Sequence, residues 1–263
     1  MTALADKARL LRSLHVPGDP LILVNVWDAA SAKVVAAVPG VKAIATASHS
    51  ISDAHGVADG GGLGLDGALG AARVIIDAVH LPVTVDFEKG YGADDGEVER
   101  SVTRLIDVGA AGLNIEDSIG AARDGLFDIP TAARRVAAAR SAAEGAGVPL
   151  VINARVDTLI GGGDWPEARE RGNAYLAAGA DVIFMFGLDT EDKVKRAIDE
   201  LDGPLSVIAG ASSIPLPRLA ELGVCRVSFG GRPLALAMAH LQSAAVQLTA
   251  LGGYPSELGF DYS

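Results

Sequence analysis

Leu81-Pro82-Val83-Thr84-Val85-Asp86-Phe87-Glu88-Lys89-Gly90-Tyr91-Gly92 is the stretch on which the reading of this chain turns. Pro82 sets the entry of a strand, and β-branched Val83, Thr84 and Val85 favour extended backbone. The run ends in two acids, Asp86 and Glu88, on either side of Phe87. Side chains alternate along a strand, so both carboxylates are expected on one face. The glycines that follow turn the chain sharply around Tyr91. Two acids at the end of an apolar strand repel and desolvate each other unless a cation lies between them. A hard divalent cation with oxygen ligands meets that need.

Outward from this strand the same pattern recurs. Leu21-Ile22-Leu23-Val24-Asn25-Val26 is an apolar run of strand length, and Asp28 after it is a plausible N-cap for a helix over roughly 28–38. Further strands are expected to begin near Ala43, Val83, Gly112, Leu150, Val182, Leu205 and Arg226. Helices should follow near 66–79, 94–108, 130–145, 166–178, 190–201, 215–222 and 232–251, with Asp94 as another cap. The strands are continuous apolar runs, as buried parallel strands are. Eight strand–helix units in 263 residues fit one (β/α)8 barrel, a TIM barrel, spanning 1–263. Residues 1–20 form a leading helix and its connection, and about 232–263 a last helix and tail. An open doubly wound sheet would carry a glycine-rich fingerprint after its first strand, where Asn25-Val26-Trp27-Asp28 stands instead.

Composition narrows the function. A formal charge of −11 argues against nucleic acid, which calls for clustered Lys and Arg. A single cysteine gives no internal disulfide framework and suits a reducing cytoplasm. The first residues lack a basic region followed by an apolar run, and no stretch is long and apolar enough to span a membrane. A cytoplasmic protein acting on small molecules is expected.

Barrel chemistry sits at the C-terminal ends of the strands. Those ends carry Asn25, Trp27 and Asp28; Ser48, His49 and Ser50; Asp86 and Glu88; Asn114, Glu116 and Asp117; and Asn153, Arg155 and Asp157. Glu116 ends the strand beside Asp86 and would complete a three-acid oxygen cage suited to Mg²⁺ held partly through water. Alternatively Glu116 or Asp117 caps a loop or pairs with Arg123. Arg155 could grip a substrate carboxylate bidentately, or form a structural ion pair with Asp157. Gly60 to Gly64 and Gly161 to Gly163 read as loops, Cys225 and His240 as structural residues.

With these residues in place the chain resembles the isocitrate lyase/phosphoenolpyruvate mutase superfamily over essentially its whole length. The resemblance is carried by Asn25-Val26-Trp27-Asp28-Ala29-Ala30-Ser31-Ala32, Lys42-Ala43-Ile44-Ala45-Thr46, Gly56-Val57-Ala58-Asp59, Asp86 to Gly92, Ile115-Glu116-Asp117 and Asn153 to Thr158. It implies a barrel whose last helix is exchanged between subunits of a homo-oligomer, a dimer or tetramer. It implies Mg²⁺, with Mn²⁺ as a substitute, near Asp59, Asp86, Glu88 and Glu116. It further implies a small 2-oxo or 2-hydroxy acid held by Arg155 and Asn153, by Asp59, and by backbone amides near Ala47 and Ser48. The segment Asp117 to Leu126 lacks the acid/base cysteine of family lyases and the Lys and Asn of the mutases. His49 or Tyr91 is therefore the candidate for proton movement.

The expected function is a Mg²⁺-dependent carbon–carbon lyase acting through an enolate and releasing a 2-oxo acid. Mutase or phosphonomutase-like P–C chemistry, as in carboxyphosphonoenolpyruvate phosphonomutase, is one alternative, and oxaloacetate hydrolysis or decarboxylation another. A catalytically silent 2-oxo acid-binding barrel is the alternative from a different class.

Overall fold

The computed structural model describes residues 3–120 and 125–255, which leaves Arg123 outside the described residues. The strands are β1 (Leu21–Leu23), β2 (Asn25–Val26), β3 (Ile44–Thr46), β4 (Val83–Asp86), β5 (Gly112–Glu116), β6 (Val151–Val156), β7 (Val182–Met185), β8 (Leu205–Ile208) and β9 (Arg226–Ser228). Around them run α1 (Ala3–Ser13), α2 (Ala29–Ala36), α3 (Ser48–His55), α4 (Gly64–Asp77) and α5 (Asp95–Asp107). The circuit continues with α6 (Ile129–Gly145), α7 (Trp165–Ala177), α8 (Glu191–Glu200), α9 (Leu216–Glu221) and α10 (Arg232–Thr249).

All strand pairings between these elements are parallel. β1 and β2 are two halves of the first barrel strand, parted at Val24. The first half pairs with β9 and the second with β3, which closes the ring. Asn25 secures that closure: its Nδ2 donates to the Thr46 carbonyl at 2.8 Å, and its Oδ1 accepts the Phe229 and Gly230 amides at 2.8 and 2.9 Å. The fold is the (β/α)8 barrel that the spacing of apolar runs implies.

Leu11 of α1 is fully buried and stoppers the N-terminal end of the barrel. A Cβ on Gly112 would lie 2.8 Å from Leu11 Cδ2, so glycine is needed for that seat. Asp28, Asp94, Asp128, Asp164 and Thr190 each accept a first-turn amide of α2, α5, α6, α7 and α8. Those acids are therefore spent on helix starts. Cys225 is buried, as expected, and burial pushes its thiol up to about 12.

Two local expectations change. Ser48-His49-Ser50 opens an unforeseen helix, α3, and does not merely tip a strand. His240 is exposed on α10, not enclosed as a structural residue would be. α10 itself buries only Leu234, while Leu236, Leu241 and Val246 are 73%, 62% and 64% exposed. Among the described residues no helix is long and apolar enough to cross a membrane.

Candidate active site

A cleft of about 550 Å³ opens at the C-terminal mouth of the barrel. Ala47, Ser48, His49, Asp59, Asp86 and Arg155 all line it. Glu88, Tyr91, Glu116 and Asn153 do not.

Asp86 is the best-anchored acid of the cleft. Its Oδ2 accepts both the backbone amide and the hydroxyl of Ser48 at 2.9 Å, and its own amide donates to Thr46 Oγ1 at 2.9 Å. The carboxylate thus sits at the N-terminus of α3, where oriented amides favour negative charge. This bears on the expected use of Ala47 and Ser48. The Ala47 amide donates to the Val26 carbonyl at 3.3 Å and the Ser48 amide to Asp86. Both groups line the cleft, but their amides are committed to holding the site together.

β4 ends at Asp86, so strand alternation does not carry through to Glu88. Glu88 and Tyr91 take left-handed backbone, with φ of 47° and 50°, and Gly90 has φ of 90°. Such angles in non-glycine residues are uncommon and recur where the surroundings impose a conformation. The brace is visible: buried Arg135 donates to the Lys89 and Gly92 carbonyls at 2.6 and 2.8 Å. A Cβ on Gly92 would lie 2.4 Å from the Val98 amide, which excludes any other residue there. Within this turn the Tyr91 hydroxyl donates to Glu88 Oε1, and the Tyr91 ring meets Phe87 in a tilted contact, centroids 5.0 Å apart. Lys89 Nζ reaches over to the Ile119 carbonyl at 2.7 Å, tying this turn to the loop after β5.

Glu116 and Arg155 are register partners on β5 and β6. Arg155 Nη1 lies 2.7 Å from Glu116 Oε2, its Nε 2.7 Å from Asp157 Oδ1, and its guanidinium 3.9 Å above the Phe186 ring. Asp157 in turn accepts the Ser118 hydroxyl at 2.5 Å and donates its amide to Asp117. The ion pair to Asp157 foreseen for Arg155 is present, and a second one to Glu116 joins it.

Electrostatically the acid side is strained. Burial lifts the Glu116 carboxyl to about 8 against the pull of Arg155, and repulsion from Asp86, Asp157 and Glu88 adds to the rise. Burial also raises Glu88, opposed by the Tyr91 hydrogen bond and reinforced by Asp86 and Asp59. Glu88 Oε2 is buried with no hydrogen-bond partner. Burial and Glu88 together push the Tyr91 phenol up, so it stays a donor at neutral pH.

An orphaned carboxylate oxygen among mutually repelling acids fits a divalent cation. Among the described residues no three His, Cys, Asp or Glu side chains group closely enough to hold a metal. The three-acid cage expected of Asp86, Glu88 and Glu116 is thus not assembled among the described residues: Glu116 is turned to Arg155 and Glu88 to Tyr91, so a Mg²⁺ ion here would need most of its ligands from water. Asp86, Glu88, Glu116 and Asp59 are the residues available to it.

Beneath the cleft, Asn114 Oδ1 accepts from Asn153 Nδ2 at 2.8 Å and from Arg226 Nη2 at 3.0 Å. With its oxygen doubly occupied below, Asn114 lines the cleft with its amide nitrogen available as a donor. Asn153 thereby supports the floor from below. Sequence reasoning missed the contributions of Arg226, Phe184, Phe186, Ser228 and Arg232. Local signals were offered by the ends of β7, Phe184-Met185-Phe186, and of β9, Ser228-Phe229-Gly230-Gly231.

Residues 11–249 match the phosphoenolpyruvate phosphomutase family model. The chain belongs to this family, within the isocitrate lyase/phosphoenolpyruvate mutase superfamily. An uncharacterised protein of Mycobacterium tuberculosis is 31% identical over 226 residues, 84% of this chain and 81% of that one. The 2-methylisocitrate lyase of Escherichia coli is 34% identical over 167 residues, 62% of this chain and 56% of the relative. The crystal structure of a 2,3-dimethylmalate lyase superposes with a TM-score of 0.83 at 28% identity, covering 95% of this chain and 86% of that one.

Proposed function

We propose that this protein is a Mg²⁺-dependent lyase that cleaves a carbon–carbon bond of a small 2-hydroxy or 2-oxo dicarboxylate through an enolate, releasing a 2-oxo acid. One observation carries the reading. A single cleft holds the Ser48-clamped carboxylate of Asp86 together with Arg155, whose position is fixed by Glu116 and Asp157. That pairing of an acid wall with a guanidinium suits a cation and a carboxylate substrate side by side. Two of the relatives carry the name of lyases, which supports the same reading.

Bound near Asp86, Glu88, Glu116 and Asp59, Mg²⁺, or Mn²⁺ in its place, would supply a Lewis acid for the negative oxygen that develops as the bond breaks. Arg155 orients the carboxylate of the 2-oxo acid half, using guanidinium edges left over from its two ion pairs. Asn114, held from below by Asn153 and Arg226, donates its amide N–H to a substrate oxygen. His49 is the proton carrier: it lines the cleft, with Nδ1 3.3 Å from Asp53 Oδ2 one helical turn along. Tyr91 positions Glu88.

A substrate panel of 2-hydroxy dicarboxylates, phosphonates and oxaloacetate, run with Mg²⁺ and read by 2-oxo acid release, tests the reading. Phosphonate turnover alone would replace it with P–C chemistry, and oxaloacetate turnover alone with hydrolysis or decarboxylation. Mg²⁺-dependent binding with no turnover would mark a silent binder. The exposed apolar side of α10 supports a homo-oligomer in which a second copy covers that helix. Leu241→Glu should then lower the mass measured by light scattering. A buried thiol at Cys225 suits the reducing cytoplasm in which we place the protein.

A further inference from the structure

We propose that Arg232 is a specificity-determining residue that recognises a second carboxylate on the substrate. The inference rests on the lyase reading of the cleft and goes beyond it, because Arg155 alone cannot account for a dianionic ligand. Arg155 lies within ion-pair distance of Glu116 and Asp157, so much of its donor fork is occupied before any substrate arrives. Asp53, Asp59 and Asp86 line the same cleft. With Arg155 so committed and Mg²⁺ assigned to the acids around Asp86, neither is left to meet a second substrate carboxylate.

Arg232 supplies the missing cation. It opens α10, lines the same cleft, and among the described residues forms no ion pair with any carboxylate. Its one protein contact of this kind is a donation from Nη1 to the Phe229 carbonyl at 3.3 Å. Its seat is built. A Cβ on Gly210, just past the end of β8, would lie 2.3 Å from Arg232 Nε and 2.8 Å from its Cζ. The Gly210 amide is itself pinned to Ser213 Oγ at 2.7 Å. The glycine leaves the space that the guanidinium occupies, and the guanidinium keeps a planar fork of donors suited to a carboxylate.

The test compares wild type, Arg232→Met, Arg232→Lys and Gly210→Ala. Calorimetric binding with Mg²⁺ is measured for 2-oxoglutarate against 2-oxobutanoate, and turnover for malate-type dicarboxylates alone, since a monocarboxylate has no second carboxylate to stabilise the breaking bond. In Arg232→Met the Kd and KM for dicarboxylates should rise about 10- to 100-fold, with the Kd for the monocarboxylate changed less than about threefold. Arg232→Lys should recover part of the loss. Gly210→Ala, which displaces the guanidinium without removing it, should act in the same direction. Equal effects on both ligand classes, or none on either, would overturn the assignment while leaving the lyase reading intact. A wild type that binds neither class and turns over no dicarboxylate would sink that reading, and this inference with it.

Discussion

Glu116 Oε2 and Arg155 Nη1 meet at 2.7 Å across register-paired positions of β5 and β6, at the back of the cleft. The pair locks the guanidinium in place and makes it costly to remove. Arg155→Met should lower stability by about 3 kcal/mol, because Glu116 and Asp157 lose their cation while still largely buried. Chemical denaturation measures this, and the double variant Arg155→Met/Glu116→Gln should recover part of it. Turnover should be lost in both.

Ser48 holds Asp86 with two donors, and only the hydroxyl can be removed by mutation. Ser48→Ala should leave the thermal midpoint nearly unchanged and weaken Mg²⁺ affinity about 10-fold, the size of effect that loss of a supporting hydrogen bond has on a metal site. Titration calorimetry on the two proteins decides it.

His49 and Tyr91 occupy different places, and their variants should separate. His49→Gln should cut kcat about 10²- to 10⁴-fold with little change in KM, as loss of a general acid or base does. Tyr91→Phe takes the hydrogen bond from buried Glu88 and should cost about 1–3 kcal/mol of stability. Its activity should fall chiefly through weaker Mg²⁺ binding and be restored by excess metal.

His15 gives the fold an acid limit away from the site. Its Nδ1–H donates to the Leu11 carbonyl at 2.8 Å and its Nε2 is buried without a partner. Burial, helped by Arg226, lowers its pKa from 6.5 to about 4. Above pH 6.5 the ring is neutral in both folded and unfolded chains and has no linkage effect. As pH falls through that value the unfolded chain takes up a proton that the folded one refuses, so stability declines until about pH 4. The full loss is on the order of 3 kcal/mol. His15→Gln should flatten this part of the stability–pH curve.

The barrel was legible because buried parallel strands repeat as apolar runs at regular spacing, and the caps because Asp28 and Asp94 precede helical periodicity. Asp86 could be found for the same reason, as the polar end of a strand. Glu88 shows where the method stops: its left-handed backbone is imposed by Arg135 and by the packing of Gly92, neither of which strand alternation contains. The twofold pairing of Arg155 depends on strand register, which brings Glu116 beside it from about forty residues away. Arg232 lay in what reads as an ordinary helix start, and its meaning comes from Gly210, in the loop that follows β8. For α10, helical periodicity could set the length of the helix but not how little of it this chain buries.

In the proposed function the acid wall around Asp86 and the guanidinium of Arg155 serve Mg²⁺-dependent carbon–carbon cleavage. Its most direct test is 2-oxo acid release from a panel of C2- and C3-substituted malates, with Mg²⁺ and with chelator, by wild type and Asp86→Ala. Wild type with Mg²⁺ should turn over at least one substrate, and both chelation and Asp86→Ala should abolish this. Undiminished turnover by Asp86→Ala, or turnover indifferent to the chelator, would contradict the proposed function.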